Sequence, residues 1–113
     1  MKKFAFVSDA AEREYKKLPE DVQLKFEASF TAIRGDKKPF LPIRFLGSIG
    51  AGVIELKING RPAFRCVYIA KFIDTVIVLH SFEKRTNGVD RQAMRTLNQR
   101  YKELQVELAK MKK

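Results

Sequence analysis

The chain has 113 residues, 45% of them hydrophobic, enough for one domain (1–113) around an enclosed core and too many for a disordered chain. A single cysteine, Cys66, excludes an internal disulfide and a structural zinc site, and no apolar run approaches the roughly 20 residues that span a bilayer. The formal net charge is +10, and it is unevenly placed: residues 9–36 carry five basic and seven acidic side chains, residues 37–113 sixteen and six. Concentrated positive charge suits a polyanion partner better than simple solubility does.

The first element expected is a short strand at Phe4–Val7, too brief for a signal-peptide core before Ser8 and Asp9. A cytoplasmic location without membrane contact is the expectation. Asp9 followed by Glu12 resembles a capping box, opening a helix with Ala11, Tyr15 and Leu18 on one face. Pro19, Glu20 and Asp21 read as the acidic start of a second helix, in which Val22, Phe26, Phe30 and Ile33 form an apolar stripe. Gly35 ends it, and the two helices are expected to be antiparallel across a tight turn. Pro39, Pro42, Gly47, Gly50 and Gly52 rule out a long regular element between 36 and 52.

Three strands are expected next. Val53–Ile58 leads through Asn59-Gly60, a strong hairpin signal lengthened by Arg61-Pro62, to Ala63–Ala70. A turn over Lys71 to Asp74 precedes Thr75–Phe82, β-branched and apolar almost throughout, hence central and covered on both faces. Cys66 lies among apolar neighbours and reads as a small buried hydrophobe. Asp90 can cap a last helix whose stripe runs Ala93, Leu97, Tyr101, Leu104, Leu108 and Met111. The fold class is α+β, β-α-α-β-β-β-α, with a small, mainly antiparallel sheet.

The chain has no P-loop, no dinucleotide fingerprint, no metal-ligand spacing and one histidine, so neither metal nor cofactor is implied. Chemistry here would run on cations. Attack by an RNA 2′-hydroxyl on its own phosphate suits such a site, because the substrate brings the nucleophile. Arg donates two hydrogen bonds to the phosphate oxygens, and Lys stabilises an oxyanion or exchanges a proton. The candidates are Lys57, Arg65, Lys84 and Arg85, with Arg61 in the hairpin loop as a further RNA-binding cation. Strand alternation puts Arg65 on a face with Ala63, Val67 and Ile69. There it must pair with a buried acid such as Glu55 or point into a cleft. His80 is either a proton carrier or a hydrogen-bonded structural histidine. Tyr68 either stacks on a base or fills the core.

Glu55-Leu56-Lys57, then Phe64-Arg65-Cys66-Val67-Tyr68, then Val78-Leu79-His80-Ser81-Phe82-Glu83-Lys84-Arg85-Thr86 resemble consecutive blocks of RelE-type toxins, in their phage-derived HigB branch. The blocks cover about residues 53–90, and the element order extends the resemblance along the chain. It implies a toxin that cleaves mRNA on the translating ribosome and is held inactive by a cognate antitoxin of helix-turn-helix type. It also implies RNA-binding or catalytic roles for Lys57, Arg65, Lys84 and Arg85, and less directly for His80. Lys57 stands where the pattern has Arg, Glu83 adds an acid beside the cationic pair, and no tyrosine lies near that segment, Tyr101 belonging to the stripe of the last helix. A non-catalytic nucleic-acid-binding module, or an inactive prophage relative on the same scaffold, is the alternative.

Overall fold

A computed structural model of the chain describes residues 1–71 and 74–111. Strand β1 (Lys3–Phe6) is followed by helices α1 (Asp9–Lys16) and α2 (Glu20–Arg34). Strands β2 (Ile43–Phe45), β3 (Val53–Ile58), β4 (Ala63–Ile69) and β5 (Thr75–Lys84) lead to helix α3 (Arg91–Met111). The strands form one sheet in the order β1-β5-β4-β3-β2. Among the described strands only the β1–β5 pair is parallel, so the α+β arrangement expected is the one observed, with one added strand. β2 is three residues long, lying between the prolines and glycines that rule out anything longer. The turn expected at Lys71 to Asp74 falls partly outside the described residues.

Local chemistry sets the helix ends. Ser8, not Asp9, caps α1: its Oγ accepts from the Ala11 amide at 3.1 Å. Asp9 and Glu12 lie instead in the first turn, where carboxylates favour the positive end of the helix dipole. Pro19 precedes α2 with Glu20 and Asp21 in its first turn, and Asp36 adopts the left-handed φ of 59° just after Gly35. The Tyr15 hydroxyl donates to the Gln23 carbonyl at 3.0 Å, and Gln23 Nε2 donates to the Leu18 carbonyl at 2.8 Å, fixing the α1–α2 turn. At the start of α3, Asp90 Oδ1 accepts from the Ala93 amide at 3.0 Å, the cap expected from the sequence.

The sheet separates two cores. On the α1 and α2 side, Phe26 and Phe30 of α2 pack against Leu56, Cys66, Tyr68 and Val78 of the sheet. On the other side, Leu97 and Tyr101 of α3 pack against Val67, Ile69, Ile77 and Leu79 of the sheet. Fully buried side chains of this size each contribute roughly 1.5–3 kcal/mol. β5 supplies both cores and lies between β4 and β1, as a strand apolar on both faces should. The α3 stripe is buried through Leu104 and Leu108 still packs against the core, but Met111, expected to continue it, is 69% exposed. Cys66 is fully buried, and burial pushes its thiol up to about 12. Among the described residues no helix is long and apolar enough to cross a membrane.

One irregularity determines what the sheet presents. Val67 pairs with His80 while Tyr68 pairs with Val78, so Leu79 and His80 both oppose Val67 in a β-bulge. Beyond it the parity of β5 is reversed. His80, Phe82 and Lys84 then share the α3 face with Arg65, whereas Ser81 and Glu83 turn to the other.

Candidate functional site

At the β3–β4 hairpin end of the sheet, α3 no longer covers its face, and the cations gather there. Arg61, Arg65, Lys84 and Arg85 line one open cleft of about 560 Å³ with Asn59 and Thr86. Arg61 sits on the exposed hairpin loop, whose Gly60 takes a φ of 141°, favoured by glycine. Lys84, half-buried, ends β5 opposite Ala63. Lys57 faces Arg65 directly across the β3–β4 register, but it does not line this cleft.

Arg65 meets both expectations held for it. Only 5% exposed, it places Nε 3.6 Å from Glu55 Oε1. Its Nη1 donates to the carbonyls of Phe64 at 3.0 Å and Ile58 at 3.3 Å, and Nη2 donates to Asn59 Oδ1 at 3.4 Å. The guanidinium therefore ties the hairpin to its own strands while contributing to the cleft wall. Arg85 is different: 81% of its side chain is exposed, and its Nε donates to Glu83 Oε2 at 2.8 Å. The acid beside the cationic pair thus partly neutralises its exposed member, Arg85.

Tyr68 belongs to the core, not to an RNA surface. It is 3% exposed on the opposite face of the sheet, edge-on to Phe30 with ring centroids 5.5 Å apart. Burial pushes its hydroxyl up to about 12.

His80 is held in a separate cluster. Its Nδ1 lies 2.8 Å from Glu14 Oε1, and Arg100 meets both Glu14 oxygens at 2.8 Å while donating to the Leu79 carbonyl at 2.8 Å. Burial pushes the imidazole below its ordinary range, outweighing the opposing pull of Glu14. Burial would raise the Glu14 carboxyl, but hydrogen bonds from Arg100 and His80 hold it below the usual range. An ionised carboxylate only accepts, so Nδ1 carries the proton of the neutral ring. The ring stacks on Phe82 at 4.9 Å, and alternation along β5 places Phe82 between His80 and Lys84.

Two further clefts have different characters. One of about 350 Å³ lies between the 44–48 segment and the start of α3; Arg44, Glu55, Phe82, Lys84 and Asp90 contribute to it. A larger, mainly apolar groove of about 740 Å³ runs between β1 and the second half of α3. It holds none of the predicted site residues, so its size does not make it the chemical site.

A model of the family described as phage derived protein Gp49-like (DUF891) matches residues 13–102. The chain belongs to this family. No curated protein matches it significantly. The match takes in all three sequence blocks that carried the resemblance. In this Gp49-like chain, Glu14 and Arg100 are the polar residues that sequence reading missed, 86 positions apart and joined only by the fold. Arg44 was also missed. It carried no signal beyond its charge, and its position opposite Glu55 depends on the unexpected β2.

Proposed function

We propose that this Gp49-like chain is the toxin of a toxin–antitoxin pair of RelE/HigB type, an endoribonuclease that cleaves mRNA on the translating ribosome. The observation that carries the reading is the open cleft where Arg61, Arg65, Lys84 and Arg85 converge at the uncovered end of the sheet. Family membership and the ordered sequence blocks support it. The partner implied by the resemblance is an antitoxin of helix-turn-helix type.

In the proposed reaction the 2′-oxygen attacks the adjacent phosphorus and the bond to the 5′-oxygen breaks, leaving a 2′,3′-cyclic phosphate and a 5′-hydroxyl. The 2′-hydroxyl proton passes to solvent water as the bond forms, and the departing oxygen takes up one proton from Lys84, which water restores. Arg61 and Arg85 hold the nonbridging oxygens, and Lys84 donates to the oxygen that departs. Arg65 acts as a positioning residue, because Nη1 and Nη2 already donate to the strand carbonyls and Asn59, while Nε is buried beside Glu55 without a hydrogen bond of its own. His80 has the form of a base but lies on the far side of Phe82, and we assign it to joining α1, β5 and α3.

Induced expression in bacteria tests the reading. Wild type should arrest growth, and Lys84→Ala should abolish the arrest while the variant accumulates as folded protein. Arrest by Lys84→Ala at the wild-type level would remove Lys84 from the site. A second reading, an RNA-binding module without catalysis, draws on the Glu83–Arg85 pair; it predicts salt-sensitive RNA binding with no strand scission.

A further inference from the structure

The cationic cleft and the smaller cleft beside it share Lys84 but differ in chemistry. The first is a polar opening at the hairpin. The second is walled by Phe82 and Met94 and floored by buried Leu46 and Leu97, with Ser48, Glu55 and Asp90 adding polar groups. We propose that the second cleft holds one nucleobase of the RNA whose phosphate lies against Lys84. The inference rests on the RNA reading above and names what that site recognises.

Size and chemistry both fit. A cleft of about 350 Å³ is at the small end of the range for ligand pockets, suited to one flat ring system rather than to a folded partner. A base has two apolar faces and a polar edge. Phe82 offers an aromatic surface that is already oriented, because His80 stacks on it with an interplanar angle of 26°. Glu55 spends one oxygen on Arg65, and Asp90 spends one on the α3 cap. Each retains a second oxygen to accept from a base. Arg44, exposed and opposite Glu55, stands where a flanking phosphate would pass. Bases that present an amino group (adenine, cytosine and guanine) match two carboxylate acceptors better than uracil, whose one ring donor is N3–H.

The bulge at Leu79–His80 is what makes this possible. Without the parity change, Phe82 and Lys84 would face α1 and α2, and the two clefts would share no residue on β5.

The test is the affinity of the full chain for 2′-O-methyl homo-oligomers of A, C and U, which cannot be cleaved by 2′-hydroxyl attack. We expect the A or C oligomer to bind about tenfold tighter than U. Val89→Trp, introduced at a 65% exposed residue of the cleft, should bring the three within about twofold. Phe82→Leu, which keeps the apolar filling, should weaken the preferred oligomer about tenfold. Lys84→Ala should weaken all three alike. Equal binding of the three by wild type, or a preference that survives Val89→Trp, overturns the base pocket and leaves RNA binding standing. Failure of wild type to bind any of them overturns the RNA reading and the pocket with it.

Discussion

Arg65 and Arg85 lie in the same cleft but differ in what their loss should cost. Arg65 is buried beside a Glu55 side chain that is itself 12% exposed, so Arg65→Ala leaves a carboxylate unpaired and frees two strand carbonyls. Removing one partner of such a pair costs about 3–5 kcal/mol. Arg85 pairs with Glu83 in solvent, and exposed pairs contribute about 0–1 kcal/mol. Urea unfolding should therefore show Arg65→Ala strongly destabilised and Arg85→Ala within about 0.5 kcal/mol of wild type. Equal stability of the two would mean that the Arg65 network does not hold the hairpin. Glycine gives a second residue-scale test. A Cβ on Gly50 would stand 2.2 Å from the Tyr101 ring, whereas Gly47 has open space. Gly50→Ala should cost about 1–3 kcal/mol by overpacking, and Gly47→Ala should leave the unfolding midpoint nearly unchanged.

Glu14, His80 and Arg100 come from α1, β5 and α3, and their joint titration should tie element packing to pH. His80 is held below its ordinary 6.5 and Glu14 below its ordinary 4.5. In both cases the unfolded chain takes up the proton first as pH falls. The stabilisation is thus complete above about 6.5 and is lost in two stages, one below 6.5 and one below 4.5. His80→Gln should flatten the upper stage in urea unfolding followed against pH, and Glu14→Gln should remove the lower one. Wild-type stability that rises between pH 7 and 5.5 would contradict the cluster. The same elements show what was legible in the sequence. The α2 stripe, the Asn59-Gly60 hairpin, the two-faced β5 and the Asp90 cap are local patterns, and the fold realises them. β2 was not legible because its three residues owe their pairing to β3, and their own run is too short to signal a strand. Nor was the bulge, since an apolar run on a two-faced strand reads alike in either parity. Arg65 was identified by alternation, whereas its Glu14 and Arg100 counterparts in the His80 cluster lack any periodic signal.

Across the whole molecule, charge and topology act together. The acidic first third folds into α1 and α2 over one face of the sheet, while the cations of β4, β5 and their loops collect where the other face emerges from under α3. RNA bound there should show affinity that falls with salt by about 0.7 log units per log unit for each phosphate neutralised. Arg61→Ala should lower that slope by about this amount, and Lys3→Ala, at a residue that pairs with Thr75 at the end of β5 far from Lys84, should not change it. The central claim is that this cationic end cleaves mRNA. Its most direct test is mapping of mRNA 5′ ends in cells shortly after induction of wild type and of Lys84→Ala. New 5′-hydroxyl ends inside coding sequences with wild type, and none with Lys84→Ala, are the predicted result. Growth arrest by wild type without new ends in coding sequence would contradict it.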